Sequence, residues 1–497
     1  MTETLAQHPT LNKFPSGIPH TTDLLVRRLY DADPDCQGDC TPLAVVNPRS
    51  TDEIVALLAW ANATGTGVVP VSSRGRRRRG DTVPVADGAV IADLSAMRQL
   101  IHVDAREKIA IVEPGLSFGC IDDLLAPHGL RALRPLAPRA GKSLVTSYLE
   151  REPLIHANEH WDVADPFGAT AVVLGNGKYA PTGSAAIAGT LAEQLARGHR
   201  HLMPVGPVNL DILRVLQGAQ GTLGIMAWAA VFCERIPSAE QGWFASSSRI
   251  GDVLDFARTL LHRRLGNALF VVDRVQLAML LQNGEAGAAA GAAGHARLAD
   301  SLPAWTAFVS LAAGRQAPAQ KMQWQSADLQ ACAAAHDLRL AAGLAGHAGD
   351  DLVRRLHTSG DDAFRDRPHG AHRELFFLQQ LHQVERYCAI VRETVFANGF
   401  GAARLGVYVQ PMAQGVYAHI EFTLTYDPRC PEEAQRSAAA MREAARICAE
   451  HGAFFSRPYG AWAELAYARD KGIGPLMAMT KQTFDPNRIM QPGRLPY

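Results

Sequence analysis

Short β-branched runs separated by glycine- and proline-rich turns dominate the chain up to about residue 237, and longer helix-spaced stretches dominate beyond it. Residues 42–47, Pro42-Leu43-Ala44-Val45-Val46-Asn47, read as a strand. Pro48-Arg49-Ser50-Thr51-Asp52-Glu53 then reads as a helix start, with Ser50 as N-cap and Glu53 closing a capping box. Ile54, Leu57, Leu58 and Ala61 form its apolar stripe, and Ala63-Thr64-Gly65-Thr66-Gly67 ends it. Strands follow at 68–71, 89–93 and 109–113, then a helix over roughly 117–127. A strand at 170–174 enters the turn Gly175-Asn176-Gly177-Lys178, a strong hairpin signal. Helical spacing covers 209–217, and Gly221-Thr222-Leu223-Gly224-Ile225-Met226 leads into a strand ending near Cys233. The pattern is α+β. No G-x-G-x-x-G follows a strand, which argues against a nicotinamide-binding Rossmann unit.

After Pro237 the character changes and a domain boundary is expected. The insert Gly284-Glu285-Ala286-Gly287-Ala288-Ala289-Ala290-Gly291 and its continuation to 294 is expected to be a mobile surface loop. Alternating runs at 405–411 and 416–423 read as strands, which sets Tyr417, His419 and Glu421 on one face. A helix at 430–450 follows, apolar at Ala438, Met441, Ala445 and Cys448, and the chain ends in a turn-rich segment preceded by a helix.

Composition narrows the partners. The 497 residues exceed one ordinary core, and 47% hydrophobic with 20% charged residues describes a globular chain. Lys+Arg and Asp+Glu are both 49, so nucleic acid is not an expected partner. No apolar run of about 18 residues exists to span a membrane, and residues 1–9 lack a signal-peptide pattern. The eight cysteines are scattered without a zinc-type spacing. They are expected to be reduced thiols of a cytoplasmic protein, and no metal site is expected.

Val68-Val69-Pro70-Val71 runs into Ser72-Ser73-Arg74-Gly75-Arg76-Arg77-Arg78-Arg79-Gly80-Asp81-Thr82-Val83-Pro84. Glycines let backbone amides approach a ligand, and arginines add forked donors for phosphate. The same run also fits a solvated basic turn.

The order of segments carries further weight: Pro48-Arg49-Ser50, the 72–84 loop, Val112-Glu113-Pro114-Gly115, Glu159-His160-Trp161, Val172-Val173-Leu174-Gly175-Asn176-Gly177 with Thr182-Gly183, the 221–225 block, and Asp485-Pro486 with Pro492-Gly493. In this order they resemble the PCMH-type flavoprotein family that includes vanillyl alcohol oxidase and p-cresol methylhydroxylase. The resemblance implies an FAD-binding domain of two α+β subdomains at 1–236, a cap domain with an antiparallel sheet at 237–449, and a segment at 450–497 returning to the FAD domain. It implies FAD as cofactor, with pyrophosphate contacts from Ser72, Ser73, Arg74, Gly75, Arg76, Arg77 and Gly80. Ser143, Ser147, Gly221, Gly224 and Ile225 would complete the cofactor site. The chain departs from the family here: the loop's glycine cluster is reduced to Gly75 and Gly80, and 139–147 keeps only Gly141.

By the same resemblance Glu159 is the acid near the flavin N5, with a surface loop carboxylate as the alternative reading, and His160 is a structural or flavin-flanking histidine and not a base. Arg457 in Phe454-Phe455-Ser456-Arg457-Pro458-Tyr459 is the cation near the flavin, with Tyr459 a substitute for the family's tyrosine. His419 lies on a strand expected to roof the flavin, as a base, a substrate ligand or part of an ordinary half-buried strand. The implied activity is an FAD-dependent oxidoreductase passing hydride from a small aromatic alcohol or para-substituted phenol to N5. Two alternatives stay open: a 2-hydroxy-acid dehydrogenase clamping a carboxylate with Arg404 and Arg457, and a flavin-free member with a non-redox role. Expected partners are a small-molecule substrate and an acceptor such as oxygen, a quinone-like dye or a cytochrome; a homodimer is compatible with the sequence.

Overall fold

The computed structural model describes residues 11–33, 36–37, 40–76, 78–80, 82–156, 166–206, 211–282, 285–412, 415–469 and 472–497. Three sheets organise them. The first orders His20–Thr21, Val45–Val46, Val90–Asp93 and Val68–Val71, the last three running parallel. Parallel strands are buried on both faces, and helix Thr51–Thr64 covers one with Ile54, Leu57, Leu58, Trp60 and Ala61. Ser50 caps this helix by accepting from the Glu53 amide at 3.2 Å. The Glu53 carboxylate reaches the Arg49 amide, at 2.7 Å, so the box closes one residue earlier than the sequence pattern implies. Gly65, at φ 69°, ends the helix in the left-handed region that glycine adopts freely.

The second sheet is antiparallel, in the order Tyr179–Pro181, Phe167–Leu174, Gly224–Arg235, Ile109–Val112 and Leu100–Asp104, with Leu130–Ala132 also pairing to Gly224–Arg235. The expected Asn-Gly hairpin is its first pair, with Val173 facing Tyr179. The third sheet has seven antiparallel strands: Arg339–Ala341, Ala239–Ser247, Trp305–Ala313, Leu269–Asp273, Leu405–Met412, Tyr417–Tyr426 and Ala371–Gln380. Its faces differ. Leu375, Phe377, Val407, Val409, Ile420 and Phe422 pack among residues of helices Ile250–His262, Val384–Ala397 and Pro431–Glu450. Alternate positions turn Glu374, Phe376, Tyr408, His419 and Glu421 to the opposite face.

One expectation fails here. Residues 285–301 form a helix, Glu285–Ser301, interrupted at Gly291 by φ 56°, ψ −164°, instead of a mobile loop. Alanine is the strongest helix former, and in this segment it outweighs the glycines everywhere but at that kink. Among the described cysteines, Cys40, Cys120, Cys233, Cys332, Cys388, Cys430 and Cys448 are free thiols. No described helix is long and apolar enough to cross a membrane.

The C-terminus returns to the first sheet after helices Gly460–Arg469 and Ile473–Phe484. The Val68 amide donates to Ile489 O at 2.7 Å, and the Gln491 amide donates to Val68 O at 3.0 Å. A buried ion pair fixes this return. Lys481 Nζ donates to Asp485 Oδ2 at 2.6 Å, Thr222 O at 2.5 Å and Met490 O at 2.8 Å. Asp485 in turn accepts from the Ile489 and Met490 amides. Removing one partner of such a pair strands the other charge in the interior. Lys481→Met is therefore expected to destabilise the fold by about 3–5 kcal/mol, read as a lower melting temperature. An unchanged transition would show that the tail does not depend on this pair.

Candidate active site

A cavity of about 230 Å³ opens between the third sheet and the first two. One wall is the loop after Val68–Val71. It is stitched to the 139–147 segment: the Arg74 amide donates to Gly141 O at 2.8 Å, the Ser143 amide to Ser73 Oγ at 3.1 Å, and Thr146 Oγ1 to Ser72 Oγ at 3.0 Å. This closeness needs glycine. A Cβ on Gly141 would sit 2.8 Å from Arg74 O, and one on Gly75, at φ +86°, 2.7 Å from Arg139 Nη1. The amides of Ser73, Gly75 and Arg76 find no acceptor among the described residues, and all three residues line the cavity. Neighbouring amides without internal acceptors make a cradle for an anion. The opposite edge is Gly221, at φ +74°, with Gly224 and Ile225.

The other wall is the polar face of the third sheet, with Glu374, Tyr408 and Glu421, joined by Arg365, Arg457 and Tyr459. Arg79 ties the walls together. Its Nη1 donates to Glu150 Oε2 at 2.9 Å and Glu152 Oε1 at 3.1 Å, and its Nη2 to Glu374 Oε2 at 2.8 Å. Burial opposes the Arg79 charge, but Glu374, Glu152 and Glu150 outweigh it and hold its pKa well above the ordinary value. Burial likewise opposes the Glu152 charge, but Lys142 and Arg79 bring its pKa down to about 2. Lys142 Nζ bonds Glu150 Oε1 at 2.7 Å. Arg78 pairs with Asp366, and His372 bridges Asp366 at 2.7 Å and Glu374 at 3.2 Å. Arg365 Nη2 pairs with Glu421 Oε1 at 2.5 Å.

Arg457 is the exception in this paired network. It is 2% exposed, its guanidinium lies 3.8 Å from the centroid of the Phe376 ring, and its Nη1 has no hydrogen-bond partner. Burial first, and the charge of Arg79 second, lower its pKa from the ordinary value. Among the described residues no carboxylate lies within ion-pair distance of it. A desolvated cation facing a cavity without a counter-ion is a receptor for an anion.

The expected residues divide into three groups. Ser72, Ser73, Gly75, Arg76, Gly221, Gly224, Ile225, Arg457 and Tyr459 line the cavity. Arg74, Gly80, Ser143, Ser147 and His419 stand behind it. The Gly80 amide donates to Asp33 at 2.5 Å, Ser143 Oγ to Pro114 O at 2.6 Å, and Ser147 Oγ to Glu152 at 2.5 Å, while His419 Nε2 meets Glu421 at 3.4 Å. Glu159, with His160 and Trp161, and Arg77 lie outside the described residues. Arg404, expected to share a carboxylate clamp with Arg457, instead pairs with Glu433 at 2.9 Å and is not a lining residue. The sequence reading missed Arg79, Glu150, Glu152, Arg365 and Glu374. One signal was available for Glu374: His372 and Glu374 are polar at alternate positions just before the apolar run Leu375–Leu378 of the same strand.

Comparison with known proteins agrees with this architecture. Residues 42–141 match the sequence family described as an FAD binding domain. The mitochondrial cytochrome-type D-lactate dehydrogenase of Arabidopsis thaliana is 25% identical over 246 residues, 49% of this chain and 40% of that protein. The chain thus matches less than half the length of that relative. The structure of p-cresol methylhydroxylase with substrate bound superposes with a TM-score of 0.78 at 16% identity, covering 96% of this chain and 93% of that one. The 4-ethylphenol oxidase of Gulosibacter chungangensis gives 0.79 at 16% identity, covering 98% and 95%. The chain therefore carries an FAD-binding domain. Its fold is the PCMH type, shared with p-cresol methylhydroxylase and 4-ethylphenol oxidase.

Acid should loosen the protein in two windows. Burial pushes the His419 pKa down to about 4 from 6.5, so the unfolded chain gains a proton that the folded one refuses, and stability falls as pH drops between those values. His295 and His369, also pushed to about 4, share that window. Glu152 contributes stability above its ordinary 4.5 that is lost as pH falls towards about 2. Denaturant midpoints measured against pH should therefore decline in two steps, and His419→Gln should shrink the upper one. An upper step unaltered in His419→Gln would mean that His419 is not held neutral.

Proposed function

We propose that the protein is an FAD-dependent oxidoreductase acting on a small para-substituted phenol or aromatic alcohol whose anionic oxygen is received by Arg457. The observation that carries this reading is the buried, unpaired Arg457 guanidinium in the cavity wall beside Tyr459 and Tyr408. The residues present suit FAD: the open amides of Ser73, Gly75 and Arg76 form a pyrophosphate cradle, and Gly221, Gly224 and Ile225 line the opposite edge. FAD, when bound, supplies the acceptor for a hydride from the substrate carbon.

This chain's own residues do the rest. Arg457 stabilises negative charge on the substrate oxygen, and the low-dielectric wall strengthens that interaction. Tyr459 and Tyr408 bound the oxygen's position as aromatic walls, the Tyr408 hydroxyl donating to Gln410 Oε1 at 2.8 Å, and the Phe376 ring holds the guanidinium plane. Arg365 and Arg79 keep Glu421 and Glu374 ionised, so these two carboxylates act as fixed charges. The substrate proton is assigned to Glu159, and His419 acts through Glu421. Oxygen, a quinone-like dye or a cytochrome is the proposed final electron acceptor. A second reading, oxidation of a 2-hydroxy acid, is favoured by Arg365 reaching the cavity beside Arg457 and by the D-lactate dehydrogenase relative.

Turnover of para-alkylphenols and of D-2-hydroxy acids, measured with a dye acceptor, separates the two readings. Arg457→Ala should lower kcat roughly a hundredfold at unchanged FAD content, since such electrostatic contributions are worth about 3 kcal/mol. Arg457→Lys should recover part of it, because an ammonium lacks the planar fork. Wild-type kcat in Arg457→Ala would remove the arginine from the site, and a protein that takes up no FAD would end the redox reading.

A further inference from the structure

Away from the cavity, a second cluster joins the six-stranded sheet to the cap. His156 follows the bridge residue Leu154, Glu234 lies near the end of strand Gly224–Arg235, and His357 follows helix Gly349–Leu356. One ligand atom from each lies within 4.8 Å of the others, and His156 Nε2 is 2.8 Å from Glu234 Oε1. None of the three lines the cavity.

The histidines have unmet bonding capacity. His156 is 0% exposed, its Nε2 meets only Glu234 and its Nδ1 has no hydrogen-bond partner, and His357 Nδ1 has none either. Buried polar nitrogens are rarely left so, and each one costs stability unless something binds it. The surrounding charge leaves room for a cation. Arg131 bonds Glu234 at 2.6 Å and Glu240 at 2.9 Å, and Arg134 pairs with Asp122. Two arginines against three carboxylates leave one negative charge. Asn267 Nδ2 donates to Glu234 Oε2 at 3.2 Å and orients the carboxylate.

We propose that His156, Glu234 and His357 bind a divalent transition-metal ion of the zinc class that fastens the cap to the FAD domain. Two imidazoles and a carboxylate are a donor set that suits zinc, with water completing the shell at partly exposed His357.

The test uses the purified, chelator-dialysed full chain and zinc chloride. The wild type is expected to retain one equivalent of zinc after gel filtration and to melt at a higher temperature with it. His357→Ala is expected to lose that equivalent and the zinc-dependent shift while keeping the zinc-free melting temperature. Equal zinc retention by the two proteins, or none by the wild type, would overturn the proposal. Should His357→Ala fail to fold, cobalt added to the wild type decides: intense visible bands of low-symmetry cobalt support the site, and the spectrum of aqueous cobalt refutes it.

Discussion

Arg79 is the side chain on which the rest of the site depends. It occupies a left-handed backbone position, φ 71°, and its guanidinium reaches Glu150, Glu152 and Glu374 at once. Two segments far apart in sequence, residues 150–152 and the strand Ala371–Gln380, are thereby fixed to one planar group. The gain is geometric more than energetic, because the desolvation of buried charges consumes most of their Coulomb attraction. What the network secures is a single relation between the loop and the seven-stranded sheet, since loss of any one partner would leave an uncompensated charge in the interior. Lys142, Ser147 and His372 complete it by occupying the remaining carboxylate oxygens.

That commitment changes how an anion can be held. Arg78 and Arg79 are engaged by carboxylates, which leaves the loop amides, with Arg76 and Arg139 beside them in the cavity lining, as the donors open to an anion. Even so, the lining carries seven arginine and lysine side chains against four glutamates, an excess of positive charge. With most of these paired, the excess is expressed at Arg457, where burial and Arg79 outweigh Glu152 and Glu421 and one guanidinium nitrogen has no hydrogen-bond partner. A site built this way discriminates by charge at one point and by shape elsewhere.

Much of the scaffold was legible because its signals are local. Strands at 68–71 and 109–112, the Asn-Gly hairpin and the Ser50 cap each depend on a few neighbouring residues. The order of such segments also pointed to the PCMH-type fold. The charged core of the site depends on pairings that no window of sequence contains. Arg79 and Glu374 are 295 residues apart, and nothing near either announces the other. The same holds for His156, Glu234 and His357, whose spacing resembles no metal motif because three separate elements supply them. The helix at 285–301 was misread for the opposite reason: glycine content suggested a loop where alanine propensity decided the backbone.

The loss of glycines from the phosphate loop looks at first like a loss of cofactor binding. The structure shows why it need not be. Close approach of backbone to backbone occurs at Gly141, where an added Cβ would meet Arg74 O at 2.8 Å, and a left-handed backbone occurs at Gly75, φ +86°; both glycines are kept. The arginines that replace the other glycines send their side chains away from the amides: Arg78 goes to Asp366 and His372, and Arg79 to the glutamates. At Arg78 and Arg79 the added bulk is therefore directed to carboxylates and not into the cradle. The substitutions exchange backbone freedom, which glycine loses at an entropic cost on folding, for ion pairs that hold the loop in one conformation before any ligand arrives. A cradle fixed in advance binds with less ordering cost, so the arginine-rich loop is better understood as a preorganised variant of the glycine-rich one than as its decay.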